Sequence, residues 1–424
     1  MTTRAGLRFD GLSIRWRTFE VAAVLVALAI QSGAVTVLAF TGPDGELTSA
    51  GRGMLQLILL PVYLLTLVLL VRRPGHLLAA LRGNLPFALL LALPFLSALW
   101  SITPSVTVRR AVGFLLSVLL AYVLALRFTP RQVLILLVML LGPLMVLSLA
   151  FAIALPGWAY MPDEPILRGV FNHKNVLGWN AALAAICSAT LALDRASGLV
   201  LPALLVLAAS VACLLLSASA TGLVTAGTAI PIALFFAALA RQRGAGRVVL
   251  ILAGLQIAAL VLVAGDAALG VLLDGTDKDV SLTGRVPLWE LVDQSIGRRP
   301  LLGYGYQAFW TEGNGEAWAI WARVNWMAPH AHSGYRDTLL SFGAVGALLC
   351  AAVILQAIRA GAILHRRHPE ELWSWLNVWI CVFLVMNLTE STFLSQNSML
   401  FITFAAAVLM VTLRARDEAK APPR

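Results

Sequence analysis

The sequence predicts an all-α polytopic membrane protein, and three observations predict it. Hydrophobic residues fill 60% of the 424 positions and charged residues only 12%, about half the charged share of a soluble domain. The mean hydropathy is +0.86. The apolar residues also fall in runs of roughly 17–25, the length that crosses the hydrocarbon as a helix. These runs are continuous rather than alternating, so they read as helices that satisfy their own backbones and not as strands of a barrel.

In chain order the runs lie at about 19–40, 54–71, 84–100, 111–127, 132–155, 176–193, 199–216, 222–240, 248–268, 338–358, 372–388 and 398–413. They predict about 12 transmembrane helices. Nine fall within residues 1–268, a long outward segment follows at 269–337, and three more helices and a cytoplasmic tail occupy 338–424. The first run lacks a small-residue cleavage site and exceeds a signal-peptide core, so it is expected to stay as a helix.

An even count of spans places both termini on one side, and the basic residues identify that side. Arg4, Arg8, Arg15, Arg17, Arg72, Arg73, Arg82, Arg127, Arg131, Arg195, Arg241, Arg243, Arg247, Arg359, Arg366, Arg367, Arg414, Arg416, Lys420 and Arg424 share one set of loops, 20 of the 31 Lys and Arg residues. Those loops are expected to be cytoplasmic. The net charge of +10 is therefore read as topology and attraction to anionic membrane lipids, with no nucleic-acid partner. Cys187, Cys213, Cys350 and Cys381 sit inside apolar runs without CxxC spacing, as packing residues do.

Ionisable groups are almost absent from the middle of the runs, which speaks against a polysaccharide or lipid transporter with a coupling-ion site near the midplane. They collect at outward helix ends and in the long segment. Arg168 and Lys174 flank the start of the run at 176–193, where backbone N–H groups and the positive end of the helix dipole suit a phosphate; snorkelling to headgroups is the alternative. From Arg285 to Ile296, Leu288, Leu291, Val292, Ser295 and Ile296 recur at helical spacing, predicting an amphipathic interfacial helix started by Ser281 or Thr283 and ended by Gly297. Arg285 in its first turn gains nothing from the dipole, so an anion facing it explains its placement better.

The run Arg299-Pro300-Leu301-Leu302-Gly303-Tyr304-Gly305-Tyr306 combines glycines for a tight path with tyrosine hydroxyls. Trp310, Trp318, Trp321 and Trp326 can stack on sugar or anchor at the interface. His330 and His332 titrate near neutrality and can hold a proton in transit. Their i, i+2 spacing has no third ligand to make a metal site. Asp277 and Asp279 form an Asp-x-Asp pair similar to the metal motif of nucleotide-sugar transferases, but on the outward side a solvated turn is the expectation.

Taken in order, Gly284-Arg285-Val286-Pro287-Leu288-Trp289, the Arg299–Tyr306 run and Pro329-His330-Ala331-His332-Ser333-Gly334-Tyr335 resemble the superfamily of O-antigen ligases and exopolysaccharide polymerases. His173, Lys174, Asn175 and Gly178 fit its His-Lys-Asn-x-x-Gly signature. The resemblance runs from Ser97–Pro104 to Asn397-Ser398. It departs at Ser333, where Asn is usual, and at Ala220, where a basic residue that holds the lipid pyrophosphate is usual; Arg168, Lys174 or a loop arginine would have to replace it.

The resemblance implies an inverting, metal-independent membrane glycosyltransferase without cofactors, in the bacterial inner membrane with its site on the periplasmic face. Its donor would be a glycan linked to undecaprenyl pyrophosphate. The acceptor would be another lipid-linked glycan for a polymerase or lipid A core for a ligase, and Arg298–Trp310 and Ala328–His332 look closer to the polymerase branch. A sugar hydroxyl needs a general base and a departing pyrophosphate needs cations. His332 and Arg285 are the expected catalytic residues, with Arg168, His173, Lys174, Asn175, Arg299, Tyr304, Tyr306, His330 and Tyr335 binding substrate.

Overall fold

A computed structural model describes residues 14–34, 49–71, 74–162, 164–274 and 285–420. Its helices, in chain order, are α1 (Ile14–Gln31), α2 (Ser49–Val71), α3 (Pro74–Gly83), α4 (Leu85–Leu96), α5 (Pro104–Arg127), α6 (Pro130–Ala154), α7 (Lys174–Leu193), α8 (Val200–Leu216), α9 (Ala220–Arg241), α10 (Gly244–Asp274), α11 (Arg285–Arg298), α12 (Gly315–Val324), α13 (Gly334–Arg367), α14 (Trp373–Met386) and α15 (Met399–Lys420). Among the described residues the only β pairing is one isolated bridge, Tyr160 to Leu167. The protein is an all-α polytopic membrane protein.

The expected count of about twelve spans is corrected. Among the described residues seven helices are long and apolar enough to cross a membrane, or up to eight if α2 and α3, bent by 91° at their junction, count as one. The difference arises because an apolar run is a local property, whereas helix length is decided by where the chain caps and breaks. The run at 84–100 yields a 12-residue α4, which starts at the Asn84 cap, whose side chain accepts from the Phe87 N–H. Leu372 in the left-handed region and the turn at Asn387 confine α14 to 14 residues, about 21 Å of rise against a core of about 30 Å. α8 stops at 17 residues. α1 is 18 residues long but carries Arg15, Arg17 and Glu20.

Two of the long helices start earlier than their apolar runs, at prolines. Pro104 and Pro130 occupy first-turn positions, where a missing N–H costs nothing, and Thr129 and Gln132 form a reciprocal capping box. α7 packs on α6, α8 and α9; α9 packs on α14; α15 packs on α5, α13 and α14. α15 is the most enclosed of the long helices and Gly244–Val261 the least. The apolar surface of Gly244–Val261 is thus left to lipid, where burial against protein is not required.

α13 is broken at Gly343, with φ 59° and ψ −157°, and this break receives the Arg299–Tyr306 run. It frees the carbonyls of Leu340 and Ser341, which accept from the N–H groups of Tyr304 (2.7 Å) and Gly305 (3.1 Å). Ala344 N–H in turn donates to Pro300 O at 2.8 Å. The two backbones lie so close that a Cβ on Gly343 would sit 2.3 Å from the Leu301 carbonyl carbon, and one on Gly303 2.5 Å from Leu340 O. Both glycines also have positive φ, so any side chain there meets strain and collision together. A second, smaller apolar cluster, including Leu288, Val292, Tyr304, Phe309, Ile320 and Trp321, packs α11 and α12 with the loops between them.

At the helix ends remote from Arg285, arginines used in the charge argument meet acids. Arg127 pairs with Glu20, Arg131 with Asp194, and Arg367 and Arg414 with Glu418.

Candidate active site

α11 forms where the apolar spacing places it, and buries Arg285, Leu288, Trp289, Val292 and Ser295. Its proposed starters Ser281 and Thr283, and Gly284, Asp277 and Asp279, lie outside the described residues, as do Arg4, Arg8, Arg72, Arg73 and Arg424. Trp289, which the spacing argument passed over, is 2% exposed. Its indole N–H donates to Ala331 O at 2.8 Å, and its ring carries the Arg336 guanidinium at 4.5 Å, itself paired with Asp293 at 2.9 Å.

Arg285 is 5% exposed. It donates through Nη1 to Thr389 O and through Nη2 to Glu390 Oε1, the latter at 3.3 Å. Glu390 is 1% exposed and accepts a further hydrogen bond from Thr221 Oγ1 at 3.1 Å. Burial pushes its carboxyl up to about 7, against the opposing pull of Arg285 and the Thr221 hydroxyl. The loop that carries it is organised by Asn387, whose Oδ1 accepts from the N–H groups of Thr392 (3.0 Å) and Phe393 (2.7 Å). Gly334 N–H donates to both Asn387 O and Glu390 O, so the start of α13 and the Glu390 loop are one assembly.

His332 sits on this assembly with φ 50°, a left-handed conformation that costs a non-glycine residue about 1–3 kcal/mol and concentrates at functional sites. Its neighbours hold it there. Ala331 N–H donates to the Asp337 carboxylate, His332 N–H to His330 Nδ1 at 3.2 Å, and Ser333 N–H to Ser391 Oγ at 3.0 Å. The His330 and His332 rings meet edge to face at 4.2 Å, with Trp326 5.6 Å beyond. Both ring nitrogens of His332 are buried without a hydrogen-bond partner. Burial, then the charges of His330, Arg285 and His173, lower its pKa to about 2. His330 is likewise pushed down, by burial first.

His173 caps α7, its Nδ1 accepting from Asn175 N–H at 3.1 Å. Burial lowers its pKa, and Lys174, Arg285 and Arg168 add to the effect against Glu164. The positive charge of Arg285 thus bears on His173, His330 and His332, the histidines of both motifs. Lys174 Nζ pairs with Glu164 at 3.1 Å, and Arg168 Nε donates to Trp158 O at 3.0 Å. Gly178 of the same motif makes a close helix crossing: a Cβ there would lie 2.3 Å from Ser219 Cβ, and one on Gly222 2.8 Å from Gly178 O. That contact brings the Ser217–Gly222 turn, and so Thr221, against α7. Ala220 is the first residue of α9, capped by Ser219.

Of the expected substrate-binding residues, three tyrosines have their hydroxyls bonded within the fold, and Arg299 is exposed. Tyr304 and Tyr306 are each 1% exposed; the Tyr304 hydroxyl meets Ser295 O and Glu316 at 2.8 Å, and Tyr306 donates to Leu394 O at 2.7 Å. Tyr335 OH donates to Leu384 O at 3.0 Å. Arg299 lies over the Tyr304 ring at 4.9 Å and lines a shallow hollow of about 320 Å³ with Trp100 and Leu301. Trp310, Trp318 and Trp321 pack on one another, and Trp310 donates to Asp337 at 3.0 Å. Sequence reasoning missed Glu390 and Thr389. The available signal was a lone carboxylate in the short polar loop Asn387–Thr392 between two apolar runs. Among the described residues the one trio able to meet at a cation is His368, Glu370 and Glu371, beyond the far end of α13 from His332.

A family model described as O-antigen ligase matches residues 203–351. Over 276 residues the chain is 28% identical to the exopolysaccharide production protein ExoQ of Rhizobium meliloti (strain 1021). The chain is thus similar to O-antigen ligases over residues 203–351 and to an exopolysaccharide production protein over a longer stretch. The alignment with ExoQ takes in 61% of this chain and spans 60% of that relative's length. The O-antigen ligase match contains Thr221, Arg285, His330 and His332, whereas His173 and Glu390 lie beyond its limits.

Proposed function

We propose that the chain is an inverting glycosyltransferase that moves a glycan from undecaprenyl pyrophosphate to a sugar hydroxyl on the periplasmic side of the inner membrane, polymerising exopolysaccharide or O-antigen repeats. The observation that carries this reading is the bond from Trp289, one turn after the buried Arg285, to the carbonyl of Ala331, which ties the arginine motif to the histidine motif next to His332. Arg285, with Arg168 and Lys174 at the start of α7, holds the pyrophosphate and stabilises its charge as the glycosidic bond breaks. His332 takes the proton of the acceptor hydroxyl. It is neutral at physiological pH with both ring nitrogens unengaged, and a diphosphate bound at Arg285 offsets the positive field and raises its basicity. Attack from the face opposite the leaving group inverts the anomeric carbon. In this reading residues 269–337 carry the catalytic motifs between helices of 1–268 and 338–424, with both termini cytoplasmic.

Polymerisation is favoured over ligation by the similarity to an exopolysaccharide production protein. The family model's description, O-antigen ligase, supports the second reading, transfer to lipid A core. Purified protein in proteoliposomes, supplied with defined lipid-linked repeat units with and without lipid A core, separates the two. The expected product is a longer lipid-linked glycan with inverted linkage by NMR. Retention of configuration, or no transfer to either acceptor, would overturn the proposal.

A further inference from the structure

In contact with Arg285 the proposed mechanism leaves one buried carboxylate unused, Glu390. A carboxylate 1% exposed is an expensive feature unless it is paired, and its partner is the guanidinium that the proposed function assigns to the donor. Arg285 Nη2 lies 3.3 Å from Glu390 Oε1. The same oxygen accepts from Thr221 Oγ1, which also lies 3.1 Å from Thr389 Oγ1. Three elements thus converge on one carboxylate: α11 through Arg285, α9 through Thr221, and the loop before α15 that carries Glu390. His173, His330 and His332 each feel the charge of Arg285.

We propose that Glu390 is a positioning residue, the resident counterion of Arg285, and that the donor's diphosphate takes its place, with Glu390 picking up one proton from solvent as the anion binds. The inference rests on the assignment of Arg285 to the diphosphate. Two anions cannot share one buried guanidinium without strong repulsion, so either the diphosphate stays out or the carboxylate becomes neutral. Protonation keeps the Thr221 and Arg285 geometry in place, because a carboxylic acid retains an acceptor oxygen. Burial already brings the carboxyl up to about 7, so the proton is available at physiological pH. The three histidines are all pushed below their ordinary value, by burial first, in the direction that favours the neutral ring.

The sign follows from linkage: a ligand that requires the protonated form binds more weakly as pH rises through the free-state pKa, by up to about tenfold per pH unit above it. The test measures binding of a farnesyl-diphospho-sugar to the full chain in nanodiscs over about pH 5.5 to 8.5. This diphosphate is a diester and does not itself titrate there. Wild-type affinity is expected to fall as pH rises through about 7, and Glu390→Gln to bind with pH-independent affinity close to that of the wild type at its acid end. Glu390→Asp keeps the pH dependence. Wild-type affinity that is flat in pH yet lost in Arg285→Ala overturns the counterion role while leaving the reading of Arg285 intact. Binding indifferent to Arg285→Ala overturns both. A Glu390→Gln protein that binds more weakly at every pH shows a purely structural carboxylate and also overturns the role. Should Glu390→Gln fail to insert, the wild-type profile alone decides.

Discussion

The Trp289 indole N–H donates to the Ala331 carbonyl across 2.8 Å, and this bond couples the two motifs of the candidate site. Trp289 stands one helical turn after Arg285 on α11, and Ala331 immediately precedes His332. Trp289→Phe keeps most of the ring and leaves the carbonyl unpaired in a buried setting, at a cost of about 1–3 kcal/mol. A lower unfolding midpoint in detergent is expected, with glycan transfer reduced more in kcat than in KM. Wild-type kinetics in this variant would show that the bond does not align the motifs.

Arg285→Ala and His332→Ala are each expected to lower transfer by about 10²- to 10⁴-fold while leaving membrane insertion intact. Turnover with a defined lipid-linked donor, beside the quantity of protein extracted from membranes, checks this. Full activity in either variant removes that residue from the mechanism.

His332 should leave a mark on stability as well. Its ordinary pKa is 6.5 and the folded value about 2, so between those limits the unfolded chain binds the proton and the folded chain does not. Stability contributed by the neutral ring is therefore present above about 6.5 and declines as pH falls below it. Glu390, raised from 4.5 to about 7, acts with the opposite sign, losing stability as pH rises through that window, and does so equally in a His332 variant. His332→Asn is expected to flatten the acid slope of the unfolding midpoint relative to wild type. An identical slope would mean that the ring is protonated in the fold.

Gly178→Ala places a methyl 2.3 Å from Ser219 Cβ at the crossing of α7 and α9. Neither backbone can yield without moving Thr221, so a destabilisation of about 1–3 kcal/mol is expected, together with weaker donor binding. Thermal unfolding and a donor KM measure the two effects; a variant as stable as wild type would show that the helices are free to separate.

Transfer is expected to proceed undiminished in EDTA, since the assigned roles fall to side chains. Loss on chelation, restored by a divalent cation, would return Asp277 and Asp279 to consideration.

Much of the site was legible as chemistry before it was legible as geometry. The spacing of Leu288, Val292 and Ser295 was enough to expect α11, and the placement of Arg285 against its own helix dipole marked it as needing an anion. The anion it meets in the fold is Glu390, 105 positions further on, a distance across which no local pattern operates. Tyr304 and Tyr306 show the converse. Their hydroxyls look available in the sequence, yet the break at Gly343 draws their backbone onto α13 and buries both rings.

From its residues alone the chain is bound to a membrane and to helices, because so many apolar side chains in unbroken runs can satisfy their backbones in no other way. Composition also confines its ionisable chemistry to the ends of those helices. The number of crossing helices, and the partner of Arg285, were decided only in three dimensions. Caps, kinks and long-range pairs cut the runs to length and choose which buried charges meet, and a buried charge is tolerated only where the fold supplies its opposite.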